Sequence, residues 1–370
     1  MIKEELERRQ LPEVLRMENG EQVCNEAAWE LRRAEIAEIL QHNFCGYEPP
    51  LKPRVEGRVM VEDVKTAFSG KAIYQKLDIC STINSTIVDM KSFTFPCHFV
   101  RPKDVEKPPV FVYISFSGSV VDELIPMEEI LDHGFAVASY YYQDIVPDTD
   151  DNFVNGLATA YGRNPYDSWG KVRMWAWAAS RIMDYLQTLD DIDRERIAVI
   201  GHSRLGKTAL AAGAFDSRFS LTISNDSGGA GAAIFRGKTG EKVKNFRTGT
   251  SSHWFAGNFR QYAKRENELP FDMHYLLSLI APRNLYVCSA KEDGHADPKS
   301  EFLSCVAASP VYEEIFHKKG LVWKEDRIPE EAITLPEGMI GYHMREGHHF
   351  LSRYDWQRFM EYRNMPEHIC

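Results

Sequence analysis

Short apolar runs alternate with amphipathic segments along most of the chain. Continuous apolar runs follow Pro108, Phe135 and Asn284, and another spans Ile197 to Ile200. Such runs predict strands that are covered on both faces. Between them lie segments with apolar residues at helical spacing, the clearest from Ser168 to Leu189. Strands and helices in this order predict a doubly wound α/β fold, a three-layer αβα sandwich around a mainly parallel sheet.

The region before this alternation has a different pattern. Its strand-like runs are Arg58–Val64, Ala72–Ile79, Thr86–Lys91 and Ser92–Val100. Their alternating residues predict antiparallel leading strands with one solvated face. Residues 1–50 carry helical patterns and predict an extension packed on the core, whereas residues 51–370 are expected to form a single domain.

Two polar or glycine-rich segments interrupt the later alternation. Residues 144–165 are polar, with glycine and proline, and predict a surface excursion near the strand ends. Residues 228–268 are irregular and predict an insertion that covers a pocket. In doubly wound sheets, ligands bind at the carboxyl ends of the strands, so both segments are expected near a binding site.

Composition narrows the classes of partner. The chain is 44% hydrophobic and 26% charged, with a net charge of −10, so no nucleic-acid or membrane partner is expected. The charged N-terminus lacks the apolar core of a signal peptide. Seven widely spaced cysteines without a C-x-x-C pair predict reduced thiols. We therefore expect a cytoplasmic protein, and the oligomeric state stays open.

Residues 196–214 combine a short strand, a turn and a strongly helical run, with Ser203 at the turn. This layout is typical of a nucleophile elbow, whose strained turn needs small neighbours. Gly201 meets that need before the serine. After it, Leu205 occupies the place where the G-x-S-x-G spacing has glycine, and Gly206 follows one residue late. By itself, the same pattern also fits an ordinary strand-to-helix turn.

Groups with the chemistry of a catalytic triad follow three predicted strands. They are Ser203, then Asp226 or the Glu292/Asp293 pair, then His348 or His349. This is the chain order of an α/β-hydrolase triad. A neutral imidazole can take the serine proton near pH 7, and a carboxylate fixes its tautomer and stabilises the imidazolium that forms.

Each group also has a simpler interpretation. Asp226 stands before Ser-Gly-Gly and could cap a turn, and the two histidines could lie on the surface. Their closeness to His343 invites a metal site. However, the surrounding cysteines and carboxylates lack zinc-site spacing, and the H-x-x-x-H pattern is absent. No metal or cofactor is therefore expected.

Longer motifs carry a specific resemblance. They are Gly201-His-Ser-Arg-Leu-Gly-Lys, Ser224-Asn-Asp-Ser-Gly-Gly, Leu269-Pro-Phe-Asp-Met-His, Ile280-Ala-Pro-Arg, Glu292-Asp-Gly-His-Ala-Asp-Pro and Tyr342-His-Met-Arg-Glu-Gly-His-His-Phe-Leu with Asp355-Trp356. From about residue 105 to the C-terminus the chain resembles carbohydrate esterase family 15, the glucuronoyl esterases of the α/β-hydrolase fold. The G-x-S-R-x-G-K elbow of that family accounts for the late glycine.

The resemblance assigns catalytic roles. It makes Ser203 the nucleophile, and it makes Arg204 the arginine that holds the oxyanion together with its own backbone amide. The family histidine lies six residues before the Asp-Trp pair, which selects His349, although a His-x-Phe pattern would select His348. Family members place the acid at either of two positions, and both hold aspartate here. We take Asp226 as the main partner and keep Asp293 as the second.

The resemblance also assigns a substrate wall. Lys207 matches a lysine that binds sugar hydroxyls or the uronate, with Trp254 and His295 as further wall residues. Three departures affect this wall: His295 replaces a typical tryptophan, Met273 stands where glutamine or histidine is common, and no glutamate stands just before Trp254. The implied substrate is a small carbohydrate ester, best a 4-O-methyl-glucuronate ester of a xylan fragment. An esterase for acetyl or other small acyl groups on sugars, and a non-catalytic glycan-binding homologue, remain alternatives.

Overall fold

The computed structural model describes residues 1–50, 53–82, 92–160, 162–248 and 251–368. Within these ranges, ten strands form one sheet. They are β1 (Arg54–Asp63), β2 (Ala72–Thr82), β3 (Ser92–Pro102), β4 (Val110–Ser115), β5 (Ala136–Tyr141), β6 (Ile197–His202), β7 (Leu221–Asn225), β8 (Asn284–Ala290), β9 (Ile333–Leu335) and β10 (Ile340–Arg345).

The strand order is β1-β2-β3-β5-β4-β6-β7-β8-β10-β9. Strands β5, β4, β6, β7, β8 and β10 are mutually parallel, whereas β1 to β3 and β9 pair antiparallel with their neighbours. The predicted mainly parallel sheet with antiparallel leading strands is thus confirmed. The predicted strand Thr86–Lys91 lies outside the described residues. The three-residue strand β9 was not predicted, because it is too short to show an alternating pattern.

Helices cover both faces of the sheet. They are α1 (Ile2–Arg9), α2 (Glu26–Leu40), α3 (Met127–Asp132), α4 (Lys171–Leu186), α5 (Arg204–Phe215), α6 (Met273–Ser278), α7 (Pro298–Pro310) and α8 (Arg353–Arg363). Strand β6 shows how the layers separate: Ile197 and Val199 pack with α4 and α5, while Ala198 and Ile200 face α3 and α8. Because both faces are buried, the strand is apolar at consecutive positions.

The N-terminal segment is joined to the domain by buried arginines. Arg9 donates to the carbonyl of Arg236 and to Oγ of Ser300, at 2.9 and 2.8 Å. Arg32, on α2, donates to the hydroxyl of Tyr275 at 2.6 Å. These contacts tie α1 and α2 to the elements that precede and follow β8.

The described part of residues 144–165 is exposed at most of its polar positions, as expected of a surface excursion near the strand ends. Ile145, Val146 and Leu157 are fully buried, and the indole of Trp175 on α4 donates to the carbonyl of Val146 at 3.0 Å. These apolar residues, which a polar segment does not predict, anchor the excursion beneath α4. The insertion at 228–268 contains short 3₁₀ turns at Val243–Phe246, Gly257–Tyr262 and Glu266–Glu268.

Two further observations concern the cysteines and the helices of the described residues. Cys24, Cys45, Cys80, Cys97, Cys288 and Cys305 are free thiols. Among the helices in the described ranges, none has both the length and the apolar character that crossing a membrane requires.

We predict that Gly213→Ala destabilises the protein by about 1–3 kcal/mol through overpacking. A Cβ at this position of α5 would lie 1.9 Å from Oγ1 of Thr222 on β7, so helix and sheet would have to separate. Urea unfolding should show a lower midpoint at unchanged slope. Gly162→Ala is the control, because its Cβ would meet nothing within 4 Å. Equal stability of the two variants would refute this account of the α5–β7 contact.

Candidate active site

The site lies where the parallel strands end on one edge of the sheet. Ser203 follows β6, Asp226 follows β7, Asp293 comes shortly after β8, and His349 comes shortly after β10. All four line one cavity of about 420 Å³. Since parallel strands share the direction of their carboxyl ends, residues far apart in the chain meet here.

The turn at Ser203 has the strained backbone that a nucleophile elbow requires. Its φ and ψ are 57° and −126°, outside the ordinary regions for a residue with a Cβ. A Cβ on Gly201 would lie 2.0 Å from the carbonyl oxygen of Leu205. One on Gly206 would lie 3.0 Å from Cβ of Ser227, whereas Leu205 is fully buried in the core. The late glycine is therefore explained: residue 206, and not residue 205, faces the end of β7.

The structure distinguishes the two candidate histidines. Nδ1 of His349 lies 2.6 Å from Oδ2 of Asp293, which leaves Nε2 as the nitrogen able to accept a proton. His348 has an 83% exposed side chain, and its Nε2 lies 3.0 Å from Oε2 of Glu292. The geometry therefore favours His349 over His348 as the base, as the spacing to Asp355-Trp356 predicts.

The contacts of the two candidate acids favour Asp293, the second choice from the sequence, over Asp226. Oδ1 of Asp226 accepts the amide of Ala290 at 2.6 Å, and its Oδ2 accepts from Arg345 and the amide of Phe350, both at 3.4 Å. Asp226 thus binds the end of β8 and the segment from Arg345 to Phe350, which contains His349. Asp293, by contrast, contacts the imidazole of His349 directly. The sequence could not decide this, because both aspartates follow strands that end at the same edge.

Electrostatics separates the two acids in the same direction. Burial by itself would raise the pKa of Asp293, but the hydrogen bond from His349 and the amide of Ala296 hold it below its usual range. Burial and the neighbouring carboxylate of Glu301 raise the pKa of Asp226 well above its usual value. A partner for an imidazolium must be an anion at the working pH, which favours Asp293.

A second imidazole packs against the catalytic one. The ring centroids of His202 and His349 are 4.5 Å apart. Nδ1 of His202 lies 2.5 Å from Oδ1 of Asn225, whose Nδ2 donates to Sγ of Cys288 at 3.0 Å. Burial and the nearby His349 lower the pKa of His202 to about 3, so it is neutral at ordinary pH. Sequence reasoning missed this residue, although it lies inside the elbow motif.

Arg204 begins α5 beside the serine and lines the cavity. Its Nη1 donates to Oδ2 of Asp148 at 2.5 Å, while its side chain remains 37% exposed. The guanidinium carbon lies 5.0 Å from the ring centroid of Trp254. Asp148 was missed as a site residue, because the polar segment after β5 was interpreted as a surface excursion. The one available signal was an acidic side chain shortly after a buried strand.

Lys207, Glu241 and His295 form one wall of the cavity. Nζ of Lys207 donates to the carbonyls of Ser227 and Gly229 and to Oε2 of Glu241, at 2.5, 2.6 and 2.7 Å. These acceptors use all three ammonium donors, so in this structure Lys207 orients Glu241, while its predicted contact with a sugar stays a prediction. Sequence reasoning missed Glu241, which lies in the insertion without a periodic signal.

The outer end of this wall is the pair formed by His295 and Glu241. Nε2 of His295 lies 3.8 Å from Oε1 of Glu241, and its side chain is 68% exposed. The hydrogen-bonding carboxylate of Glu241 raises the pKa of His295. Burial alone would raise the pKa of Glu241, but the charge of Lys207 holds it below its usual value. The wall is therefore ionic at the position where tryptophan is typical of the glucuronoyl esterase family. Trp254, the other predicted wall residue, is buried except for its edge and donates its indole N–H to Asp148 at 2.7 Å.

Two groups of potential metal ligands occur in the described residues. The ligand atoms of Asp226, Asp293 and His349 lie within 4.8 Å of one another, as do those of Cys288, His343 and Asp355. One pair within each group is already hydrogen-bonded, His349 with Asp293 at 2.6 Å and His343 with Asp355 at 2.7 Å. The guanidinium of Arg345 contacts both groups through Asp226 and Asp355, which opposes a cation at either place.

Comparison with known proteins agrees with this geometry. A family model described as glucuronyl esterase, fungi, matches residues 85–315. The chain is 31% identical over 317 residues to 4-O-methyl-glucuronoyl methylesterase 1 of Wolfiporia cocos, covering 82% of this chain and 72% of the relative. The chain belongs to the glucuronoyl esterases, carbohydrate esterase family 15.

Two further similar proteins extend the comparison. Carbohydrate esterase MZ0003, from an unknown prokaryotic organism, is 42% identical over 242 residues, 64% of this chain. That match spans only 54% of the length of the relative. The structure of a glucuronoyl esterase from Solibacter usitatus superposes with a TM-score of 0.83 at 34% identity, covering 95% of this chain and 97% of that one.

We predict that Asp293→Asn lowers kcat by about 10⁴-fold, because an amide facing Nδ1 of His349 favours the wrong imidazole tautomer. Asp226→Asn should cost far less in kcat, since Asp226 holds the loops and does not contact the imidazole. Turnover at saturating ester, with unfolding midpoints to control for stability, separates the two. Equal losses of kcat would exclude assignment of the triad acid to Asp293 alone.

Proposed function

We propose that this protein is a serine esterase that hydrolyses esters of 4-O-methyl-glucuronate. The observation that carries the proposal is the placement of Ser203, on its strained turn, in one cavity with the His349–Asp293 pair. Membership of the glucuronoyl esterase family and the name of the Wolfiporia cocos relative support the uronate as the acyl part.

The reaction follows from the proton balance. Oγ of Ser203 attacks the ester carbonyl carbon while Nε2 of His349 takes its proton, and Asp293 stabilises the imidazolium. The carbonyl electron pair moves onto oxygen, where the guanidinium of Arg204 and its backbone amide donate hydrogen bonds. Collapse restores the carbonyl and releases the alcohol, which takes the proton from His349. Water then repeats the sequence on the acyl-enzyme and releases the uronate.

The polar wall provides contacts for the sugar. With the C6 carbonyl at Ser203, the ring hydroxyls meet Glu241, whose carboxylate accepts hydrogen bonds, backed by Lys207. The exposed His295 lies at the outer rim, where the leaving alcohol or the remaining glycan would pass. Because this rim is ionic, we propose that the enzyme selects strongly for the uronate as the acyl part of the ester. We propose weaker selection for an aromatic group in the leaving alcohol.

A fluorophosphonate probe tests the nucleophile. We expect covalent labelling of the wild type and none of Ser203→Ala, because only an activated serine displaces the fluoride. Another serine of the same edge, Ser227, supplies a matched control, and Ser227→Ala should still be labelled. Labelling that persists in Ser203→Ala would overturn the assignment and would favour a different nucleophile or a glycan-binding role.

A panel of esters tests the substrate class. Methyl 4-O-methyl-glucuronate, benzyl glucuronate, methyl galacturonate and p-nitrophenyl acetate vary the sugar and the alcohol separately. We expect higher kcat/KM for both glucuronates than for the galacturonate, whose C4 hydroxyl has the opposite configuration. Turnover of the acetate with neither glucuronate would replace the proposed substrate by a small-acyl ester and leave the mechanism unchanged.

A further inference from the structure

Asp148 lies where three chain segments meet beside Arg204. Its side chain is only 4% exposed. Oδ1 accepts from Nε2 of His253 at 2.8 Å and from the indole of Trp254 at 2.7 Å. Oδ2 accepts from Arg204 at 2.5 Å and from the hydroxyl of Tyr142 at 3.0 Å. These donors fill about four lone-pair sites, so the carboxylate is held in one orientation.

The same contacts confine Arg204. An arginine at the start of a helix has many rotamers, but here one end of the guanidinium is bound to Asp148. Its carbon also lies 5.0 Å from the ring centroid of Trp254 and 5.8 Å from that of Phe116. Since Asp148 binds both Arg204 and Trp254, the arginine and this part of the insertion are fixed relative to each other.

We propose that Asp148 is a positioning residue, which holds the guanidinium of Arg204 where the oxyanion forms and couples that arginine to the substrate wall at Trp254. The inference rests on the proposed function, in which Arg204 stabilises the tetrahedral intermediate. A donor fixed before the reaction needs no reorganisation when the charge develops. Asp148 itself does not line the cavity, so it acts through Arg204.

The charge of Asp148 makes this pairing consequential. Although burial by itself raises the pKa of Asp148, hydrogen bonds from His253, Trp254 and Arg204 lower it to about 2. The group is thus an anion at neutral pH, close to the place where a second negative charge develops. Arg204 separates the two charges. If Arg204 is removed, the buried carboxylate keeps its donors from His253, Trp254 and Tyr142 but loses the guanidinium, so its charge opposes the oxyanion.

A double-mutant cycle tests the proposal. The proteins are wild type, Asp148→Asn, Arg204→Ala and the double variant, assayed for kcat and KM on methyl 4-O-methyl-glucuronate. Arg204→Ala should lower kcat by about 10²–10³-fold, as loss of one oxyanion donor does. Asp148→Asn should lower kcat by up to about 10²-fold with KM little changed, because the arginine is misplaced. The double variant should be no slower than Arg204→Ala.

The matched control is Asp151→Asn, in the same segment. Asp151 accepts from Nζ of Lys171 at 2.7 Å, so its loss disturbs the segment without removing the partner of Arg204. Its kcat should stay near the wild-type value even if its unfolding midpoint falls. The proposal would be overturned if the two single losses of kcat multiplied in the double variant, as independent effects do. Equal losses of kcat in Asp148→Asn and Asp151→Asn would overturn it as well.

Chemical rescue provides a measurement that needs no Asp148 variant. In Arg204→Ala, added guanidinium should bind beside the intact Asp148 carboxylate, between the rings of Phe116 and Trp254, and raise kcat saturably. Absence of any rescue would contradict a site built to hold that cation, even if Asp148→Asn failed to fold.

Failure of the proposed substrate can be told apart from failure of this inference. If no glucuronate ester is hydrolysed, the same cycle is measured on p-nitrophenyl acetate, or on the rate at which a fluorophosphonate labels Ser203. Both reactions develop negative charge on an oxygen at the same place. The coupling between Asp148 and Arg204 should persist there, and its absence would refute the positioning role.

Discussion

The close contact between the start of α5 and the ends of β6 and β7 is the constraint on which the site depends. Gly201 and Gly206 have no room for a side chain, and this lets Ser203 adopt a conformation that costs on the order of 1–3 kcal/mol. Burial of Leu205 and of the β6 side chains offsets that cost. The consequence of this geometry is functional, because the Ser203 hydroxyl lies beyond the edge of the sheet, beside the N–H groups at the start of α5.

Around that turn, the site must keep several carboxylates close together without mutual repulsion. Asp226, Asp293 and Asp355 lie near one another, with Arg345 bound to Asp226 and Asp355. Buried Glu301 accepts from the amide of Gly228 and the hydroxyl of Ser289, and burial raises its pKa to about 7. Environment therefore divides the roles: Asp293 serves the imidazole as an anion, while Asp226 supports the loops. The two positions look alike in sequence, and their pKa values shift in opposite directions because their neighbours differ.

The insertion completes the site from the other side. It supplies Glu241 to the wall beside Lys207, and it supplies Trp254 to the carboxylate that also binds Arg204. Catalytic and substrate-binding groups are thus joined by two internal ion pairs, Lys207–Glu241 and Arg204–Asp148. Lys207, Glu241 and Asp148 are shielded from water, whereas Arg204 reaches the cavity, and charge-assisted hydrogen bonds hold the geometry of both pairs.

The sequence by itself determined the parallel sheet, its antiparallel leading strands and the elbow, because these depend on local periodicity and on small residues at one turn. The spacing to Asp355-Trp356 also predicted His349. Only the tertiary structure distinguished the contacts of Asp226 from those of Asp293. It also paired the ammonium of Lys207 with Glu241 and placed Asp148 beside Arg204. Those outcomes depend on distances between residues far apart in the chain. Hydrophobic patterning records which side of an element is buried, but carries no information on which polar groups meet where strand ends and loops converge.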